Sequence, residues 1–191
     1  MGNIVVTGMG IISALGAGKE ATLRMLMAGE RAIAPIRHLQ TRHKDLPVGE
    51  VPYSDEELRT LIGFPEDRII TRTSLLGRVA LREALDDACL TDAADRKRIA
   101  FISGNTVGGM EKSERYYHDF RTSEEHKEYI AMHDCGACTD VIAKEFSGRF
   151  DLITTISTAC SSAACTTKNC VSLSSTALKK SISEHNSSGR G

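Results

Sequence analysis

Apolar and polar positions along this chain change period several times, and each change marks a predicted element. Ile4, Val5 and Val6 make Asn3–Thr7 a β-prone run, closed by the turn signal Gly8-Met-Gly10. A helical period follows over Lys19–Ala28, with Leu23, Leu26 and Met27 on one side and Gly29 as its stop. Between Glu30 and Pro52 the period is lost among Pro35, Pro47, Gly49 and basic residues, which predicts loop with short strands. Ser54-Asp-Glu-Glu57 has the form of a capping box and predicts a short helix.

The clearest helix is predicted over Arg68–Leu90, where Leu75, Leu76, Val79, Ala84, Leu85 and Ala88 recur at spacings of three and four. Ile99–Ser103 reads as a buried strand, closed by Gly104-Asn-Thr-Val-Gly-Gly109. The charged stretch from Glu111 to Met132, with Tyr116, Tyr117 and Phe120, is expected to be a solvated, largely helical insertion. Thr139–Phe146 predicts a short helix, and Leu152–Ile156 a strand that delivers the chain to Cys160. Strands alternating with helices predict an α/β layered fold with a mostly parallel sheet. Cys165–Gly191 is different in kind: rich in Ser and Thr and without an aromatic residue, it predicts a frayed or disordered end.

Composition narrows the function classes. With 191 residues, 41% hydrophobic and 26% charged, the chain suffices for one sizeable core. A net charge of −1 leaves no electrostatic footprint for nucleic acid or an anionic membrane, and no apolar run reaches the length of a span. The opening residues lack a signal-peptide pattern, so the six cysteines are expected as reduced thiols in a cytoplasmic protein.

Candidate chemistry centres on Cys160. In Thr158-Ala-Cys-Ser-Ser162 the sulfur sits among small residues at a strand-to-helix turn, where an extended acyl thioester could approach. Free N–H groups at a helix start favour a thiolate and can hold an oxyanion. Spacing alone leaves a buried structural cysteine equally open. Cys135-Gly-Ala-Cys138, beside His133, has the spacing of a zinc half-site but no second pair of similar spacing. It is read as a helix start with two half-buried thiols, and no metal is expected. Gly104–Gly109 lacks the Lys-Ser/Thr of a P-loop, and Gly8-Met-Gly10 lacks the third glycine of a dinucleotide fingerprint. No cofactor is expected.

Four segments in order resemble the β-ketoacyl-acyl carrier protein synthases, the condensing enzymes of fatty-acid and polyketide synthesis. Ile4–Gly16 resembles the family's opening strand and turn, and Asp67-Arg68 through Ala80–Leu90 its long early helix. Ala100–Gly109 resembles its strand and glycine loop, and Thr158–Ser162 its nucleophile motif. The resemblance, over residues 3–164, implies the N-terminal half of a thiolase-like αβαβα fold, a mixed, mostly parallel sheet with flanking helices. It implies a decarboxylative Claisen condensation with Cys160 as acyl acceptor and the Cys160 N–H as one oxyanion donor. Val107 and Gly108 are implied at the acyl-chain pocket, with Ser161 beside the nucleophile as a further substrate contact. The loop holding Val107 could equally be a tight turn and no more. Implied partners are acyl carrier protein bearing acyl or malonyl groups and, in a homodimer, a second copy.

The family's two catalytic histidines and lysine belong to its second half. His38, His43, His118, His126, His133 and His185 match none of those positions. Residues 1–164 are therefore expected to form a ketosynthase half-domain that does not condense alone. Residues 165–191 depart from the family pattern after Ala164 and are expected to be an aberrant polar tail, from a frameshift or an unrelated junction. The alternative is a non-catalytic interaction module that binds acyl carrier protein or a complementary half-chain.

Overall fold

The computed structural model describes residues 5–65, 69–90, 99–146 and 149–167. Its opening segment departs, over Val5–Thr7, from the strand expected over Asn3–Thr7, of which residues 3 and 4 lie outside the described part. Val5 and Val6 are 71% and 80% exposed and join no ladder among the described residues. Carboxylates take the backbone donors that follow. Met9 N–H donates to Asp87 at 2.9 Å, while Ile11 and Lys19 N–H donate to the two oxygens of Glu83 at 2.9 and 2.7 Å. Gly8 and Gly10 permit this approach: a Cβ on Gly10 would lie 2.0 Å from the Ala80 carbonyl oxygen, and one on Gly8 2.4 Å from that of Ala84. The Lys19 ammonium pairs with Asp87 and, ahead of the Met9 N–H, holds that carboxyl below the ordinary range.

Two short antiparallel strands, β1 (Ile12–Ser13) and β2 (Gly16–Ala17), lead into α1 (Lys19–Met27). The expected glycine stop holds. Gly29, at φ 69°, donates to the Leu26 carbonyl at 3.1 Å, and Glu30 N–H reaches Met25 O at 3.0 Å, closing a Schellman motif. The apolar side of α1 faces solvent, however: Leu23, Leu26 and Met27 are more than half exposed, and Thr22 is its buried residue.

Within the expected loop, β3 (Ala34–Pro35) pairs antiparallel with β4 (Pro47–Val48). Glu50 organises this region by accepting backbone N–H bonds from Arg37 at 2.7 Å, His38 at 3.0 Å and Leu39 at 2.7 Å. Burial opposes the charge on Glu50, but the N–H groups of His38, Arg37 and Leu39 outweigh it and bring the carboxyl down from 4.5 to about 2.

The capping box opens α2 (Asp55–Ile62) as predicted: Ser54 Oγ accepts from Glu57 N–H at 3.2 Å, and the Glu57 carboxylate accepts from Ser54 N–H at 2.7 Å. The long helix, α3 (Arg72–Asp87), starts later than the expected Arg68 because Thr71 caps it, its hydroxyl accepting from Ser74 N–H at 3.3 Å. Leu58, Ile62, Phe64, Ile70 and Leu75 form the core between these helices, with Ile12, Tyr53, Leu76 and Val79 packed around it. Leu58 and Leu75 are essentially inaccessible, and burying each stabilises the fold by roughly 1.5–3 kcal/mol. The end of α3 repeats the motif of α1, with Cys89 at φ 54° where glycine is usual: Cys89 N–H donates to Asp86 O at 3.0 Å and Leu90 N–H to Leu85 O at 2.8 Å.

The second region is a strand–helices–strand unit. β5 (Ala100–Gly104) is followed by α4 (Met110–Arg115), α5 (Tyr117–Thr122), a 3₁₀ turn at Lys127–Met132, α6 (Cys135–Glu145) and β6 (Leu152–Ile156). The expected helical insertion is thus broken into short pieces, interrupted where Ser123 is extended and His126 is left-handed at φ 60°. α6 begins before the expected Thr139 because Asp134 caps it, accepting from Gly136 N–H at 2.6 Å. Cys135 and Cys138 fall on its first turn, Cys135 half-buried and Cys138 fully buried. α6 packs on α3, where Gly77 faces Ile142 and buried Arg78 lies 4.4 Å above the Phe64 ring and 3.1 Å from Glu145. β5 and β6 are parallel, Ala100 opposite Leu152 through Gly104 opposite Ile156, giving the α/β layering predicted. Among the described residues no helix is long and apolar enough to cross a membrane.

Three expectations about stability follow. Gly10→Ala drives a methyl into the α3 backbone and should lower unfolding stability by about 2 kcal/mol or more in chemical denaturation; a loss within about 0.5 kcal/mol would contradict the docking. Cys89→Gly should raise stability by about 0.5–1 kcal/mol by removing a left-handed non-glycine residue, and a destabilised variant would refute that origin. Glu50→Gln should cost about 1 kcal/mol at pH 7 after solvent screening. Because the folded carboxyl is depressed, this contribution is present above 4.5 and fades as pH falls toward about 2, so the two stability curves should converge there. A gap unchanged across that window would exclude the carboxylate as its source.

Candidate active site

Parallel pairing brings the segments that follow β5 and β6 to one edge of the sheet, the edge where α/β folds place their ligands. The ladder continues one step further, with Asn105 N–H donating to Ile156 O at 3.2 Å. Beyond that step the glycine loop, residues 104–109, and the Cys160 turn lie against each other.

Gly104 makes the contact possible. A Cβ there would sit 2.8 Å from Thr166 Oγ1 and 3.0 Å from Ala163 N, inside the helical turn that runs over residues 162–167. The loop itself folds around Asn105, whose Oδ1 accepts from Val107 and Gly108 N–H at 3.1 and 3.3 Å while its Nδ2 donates to Cys135 O at 3.3 Å. Gly108, left-handed at φ 56°, and Gly109 are buried against the backbone of residues 132–134. Their lack of a side chain thus answers a close backbone approach. Val107 is 55% exposed at the tip.

The turn after β6 is built by hydroxyls. Ala159 is left-handed at φ 53°, a costly conformation for a residue with a side chain. Its carbonyl oxygen accepts from Ser162 N–H at 3.1 Å, Ser162 Oγ at 2.7 Å and Thr106 Oγ1 at 3.1 Å. Ser162, nearly inaccessible, also accepts from Thr158 N–H at 3.0 Å and lies 2.9 Å from Thr106 Oγ1. Ser161 turns the other way, its hydroxyl donating to Thr158 O at 2.8 Å.

Cys160 lies between these anchors and is exposed. That overturns the buried structural cysteine, one of the two readings its spacing left open. Of the sequence-derived site residues, Cys160 and Ser161 share the turn, while Val107 and Gly108 share a loop tied to that turn through neighbouring Thr106. Sequence reasoning named Ser162 only as a small neighbour of the sulfur and gave no hydrogen-bonding role to Thr106, Ser162 or Asn105. The Asn105 bonds to Val107 and Gly108 are local, and an Asn ahead of two glycines signals such a turn. The Thr106–Ser162 contact spans the whole crossover and has no local signal.

No histidine among the described residues hydrogen-bonds the Cys160 sulfur: His126 Nδ1 is 2.9 Å from Asp119, and His133 Nδ1 2.9 Å from Ser113 Oγ. His185 lies outside the described residues. Among the described residues no three His, Cys, Asp or Glu side chains converge to hold a metal ion. A cleft of about 620 Å³ lies between the Glu50 loop and α4, lined by His38, Asp55, Arg72 and Glu111 among others, and includes no residue of the cysteine turn.

The model of the β-ketoacyl synthase N-terminal domain matches residues 1–175. Among solved structures, an ishigamide ketosynthase/chain length factor is 28% identical with a TM-score of 0.67, over 82% of this chain and 40% of its own. A β-ketoacyl synthase from Burkholderia phymatum (17% identity, TM-score 0.60) aligns over 86% of this chain and 41% of its own. The type II polyketide ketosynthase of AntDE:AntF, solved in complex with its acyl carrier protein (19%, 0.55), aligns over 83% and 38%. These last two show the shared thiolase-like fold. No protein of curated function matches. The chain thus spans about two fifths of the ketosynthase chains it resembles. Matched by that domain model over most of its length, the chain belongs to the β-ketoacyl synthase family.

Proposed function

We propose that Cys160 is the acyl acceptor of a β-ketoacyl synthase, and that this chain supplies the acylation half of a decarboxylative condensation. The observation that carries the reading is the exposed Cys160 thiol, held among small residues on a hydroxyl-pinned turn at the carboxyl edge of a parallel pair. The sulfur attacks the carbonyl carbon of an acyl thioester on acyl carrier protein. A new carbon–sulfur bond forms, the carbon–sulfur bond to the carrier breaks, and the carrier thiol departs with the proton. Acyl carrier protein as partner is supported by the AntDE:AntF ketosynthase, which binds one. Val107, Gly108 and Ser161 are the substrate contacts proposed around the acyl chain.

Condensation asks for more. The acyl group must meet a carbanion released from malonyl-carrier protein as carbon dioxide leaves, and that step needs acid–base groups positioned at the thioester. Among the described residues none is hydrogen-bonded to Cys160. The chain alone is therefore proposed to take an acyl group without extending it, and in the intact synthase a second copy completes a homodimer.

A second reading, a non-catalytic module that binds acyl carrier protein or a complementary half-chain, is favoured by the exposed apolar face Leu23, Leu26 and Met27 on α1. Incubation with an acyl thioester and intact-mass spectrometry separates the two. The expected result is one added acyl group, mapped to Cys160 and absent in Cys160→Ser, with no elongated product when malonyl-carrier protein is supplied. Carrier-protein binding without acyl transfer would favour the module, and turnover to a β-ketoacyl product would refute the proposed division of labour.

A further inference from the structure

We propose that Thr106, in the glycine loop, is a positioning residue for Cys160: its hydroxyl pins the left-handed Ala159 peptide and so sets the direction in which the thiol is presented. The inference rests on the acyl-acceptor reading above for its kinetic consequence, but its geometry stands apart from it.

Donors and acceptors around Ala159 can be counted. Ala159 O accepts from the N–H and the hydroxyl of Ser162, bonds made within a single turn. Ser162 Oγ has spent its proton on Ala159, so toward Thr158 N–H and Thr106 it acts as acceptor. The Thr106 proton therefore has two acceptors, Ser162 Oγ at 2.9 Å and Ala159 O at 3.1 Å, and either bond closes the network. Among the described residues, the other hydrogen bonds to this turn come from within it or from the helical turn that continues it, where Cys165 N–H donates to Ser161 O and Thr166 Oγ1 to Ser162 O, both at 2.9 Å; Thr106 is the partner from the glycine loop. The others are local and would travel with the turn if it tipped. Gly104 keeps the two segments within reach, but a bare Cβ position has no hydroxyl to orient them.

A left-handed non-glycine residue persists where its surroundings over-determine it. Here the over-determination is a hydroxyl bond from the loop that also carries Val107, one residue from Thr106. Strand pairing brings the two segments together, that bond orients the cysteine turn against the loop, and Thr106 touches no reacting atom.

The test is single-turnover acylation of the full chain by an acyl thioester over a range of concentrations, comparing wild type, Thr106→Val and Thr106→Ser by intact mass. Thr106→Val keeps the shape and removes the hydroxyl; Thr106→Ser keeps the hydroxyl and removes the methyl. Loss of positioning should lower the maximal rate for Thr106→Val by roughly tenfold with half-saturation within about twofold, while Thr106→Ser stays within about twofold in both. A Thr106→Val rate equal to wild type, or a Thr106→Ser rate as low as that of Thr106→Val, would overturn the proposal, the second outcome assigning the residue to packing. Should wild type take no acyl group, the acyl-acceptor reading fails by itself. Amide exchange of a peptide spanning residues 158–165 then decides: roughly fivefold faster exchange in Thr106→Val but not in Thr106→Ser supports positioning, and equal exchange in all three refutes it.

Discussion

The parallel pairing of β5 with β6 is the constraint on which the rest of the candidate site depends. A parallel pair puts both carboxyl ends at one edge and demands a long crossover between them. That crossover here holds α4, α5 and α6, and α6 in turn packs on α3 beside the main core. Cys160 is thus fixed by a path that runs from the sheet, through α6, to buried residues such as Leu75 and Phe64. Where the ladder runs out, hydroxyls take over. Thr155 Oγ1 donates to Thr139 Oγ1 at 2.6 Å, Ser157 donates to the Cys135 sulfur at 3.8 Å, and Thr106 reaches Ala159 and Ser162. Each of these ties the turn or its strand to a different neighbour, which makes this corner a network and leaves no single latch.

The amino-terminal region is held by a different logic. Its backbone donors find the Glu83 and Asp87 carboxylates on one face of α3, and glycines at positions 8 and 10 bring the chain close enough for those bonds. Charge-assisted bonds from backbone N–H to a carboxylate are stronger than neutral ones, which suits a segment with no ladder partner among the described residues. The outward apolar side of α1 and the exposed Val5 and Val6 leave apolar surface on the same side of the chain sequence.

Local signals in the sequence were legible because their physics is local. The capping box at Ser54 and the periodic face of α3 involve partners within one or two turns, and β5 and β6 are short apolar runs bounded by glycine or polar residues. The exposed side of α1 was half legible: period three and four says that a face exists and nothing about what covers it. The helix start read at Cys135-Gly-Ala-Cys138 and the short helix predicted over Thr139–Phe146 are one helix, α6, because Asp134 is a strong capping residue ahead of the cysteine pair. Val5–Thr7, the described part of the strand expected over Asn3–Thr7, join no ladder among the described residues, and a β-prone run carries no sign of the carboxylates that take the backbone donors after it. The bond between Thr106 and Ser162 was invisible in the same way, its partners being brought together by strand register across the whole crossover.

The central claim is that the glycine loop and the cysteine turn form one hydroxyl-bonded unit. A double-mutant cycle on Thr106→Val and Ser162→Ala, read as unfolding free energy in chemical denaturation, tests it most directly. Residues in one hydrogen-bond network should show a coupling of about 0.5–1.5 kcal/mol, the double variant losing less than the sum of the singles. Additivity within about 0.3 kcal/mol would mean that the two segments are neighbours without being joined, and would contradict the account.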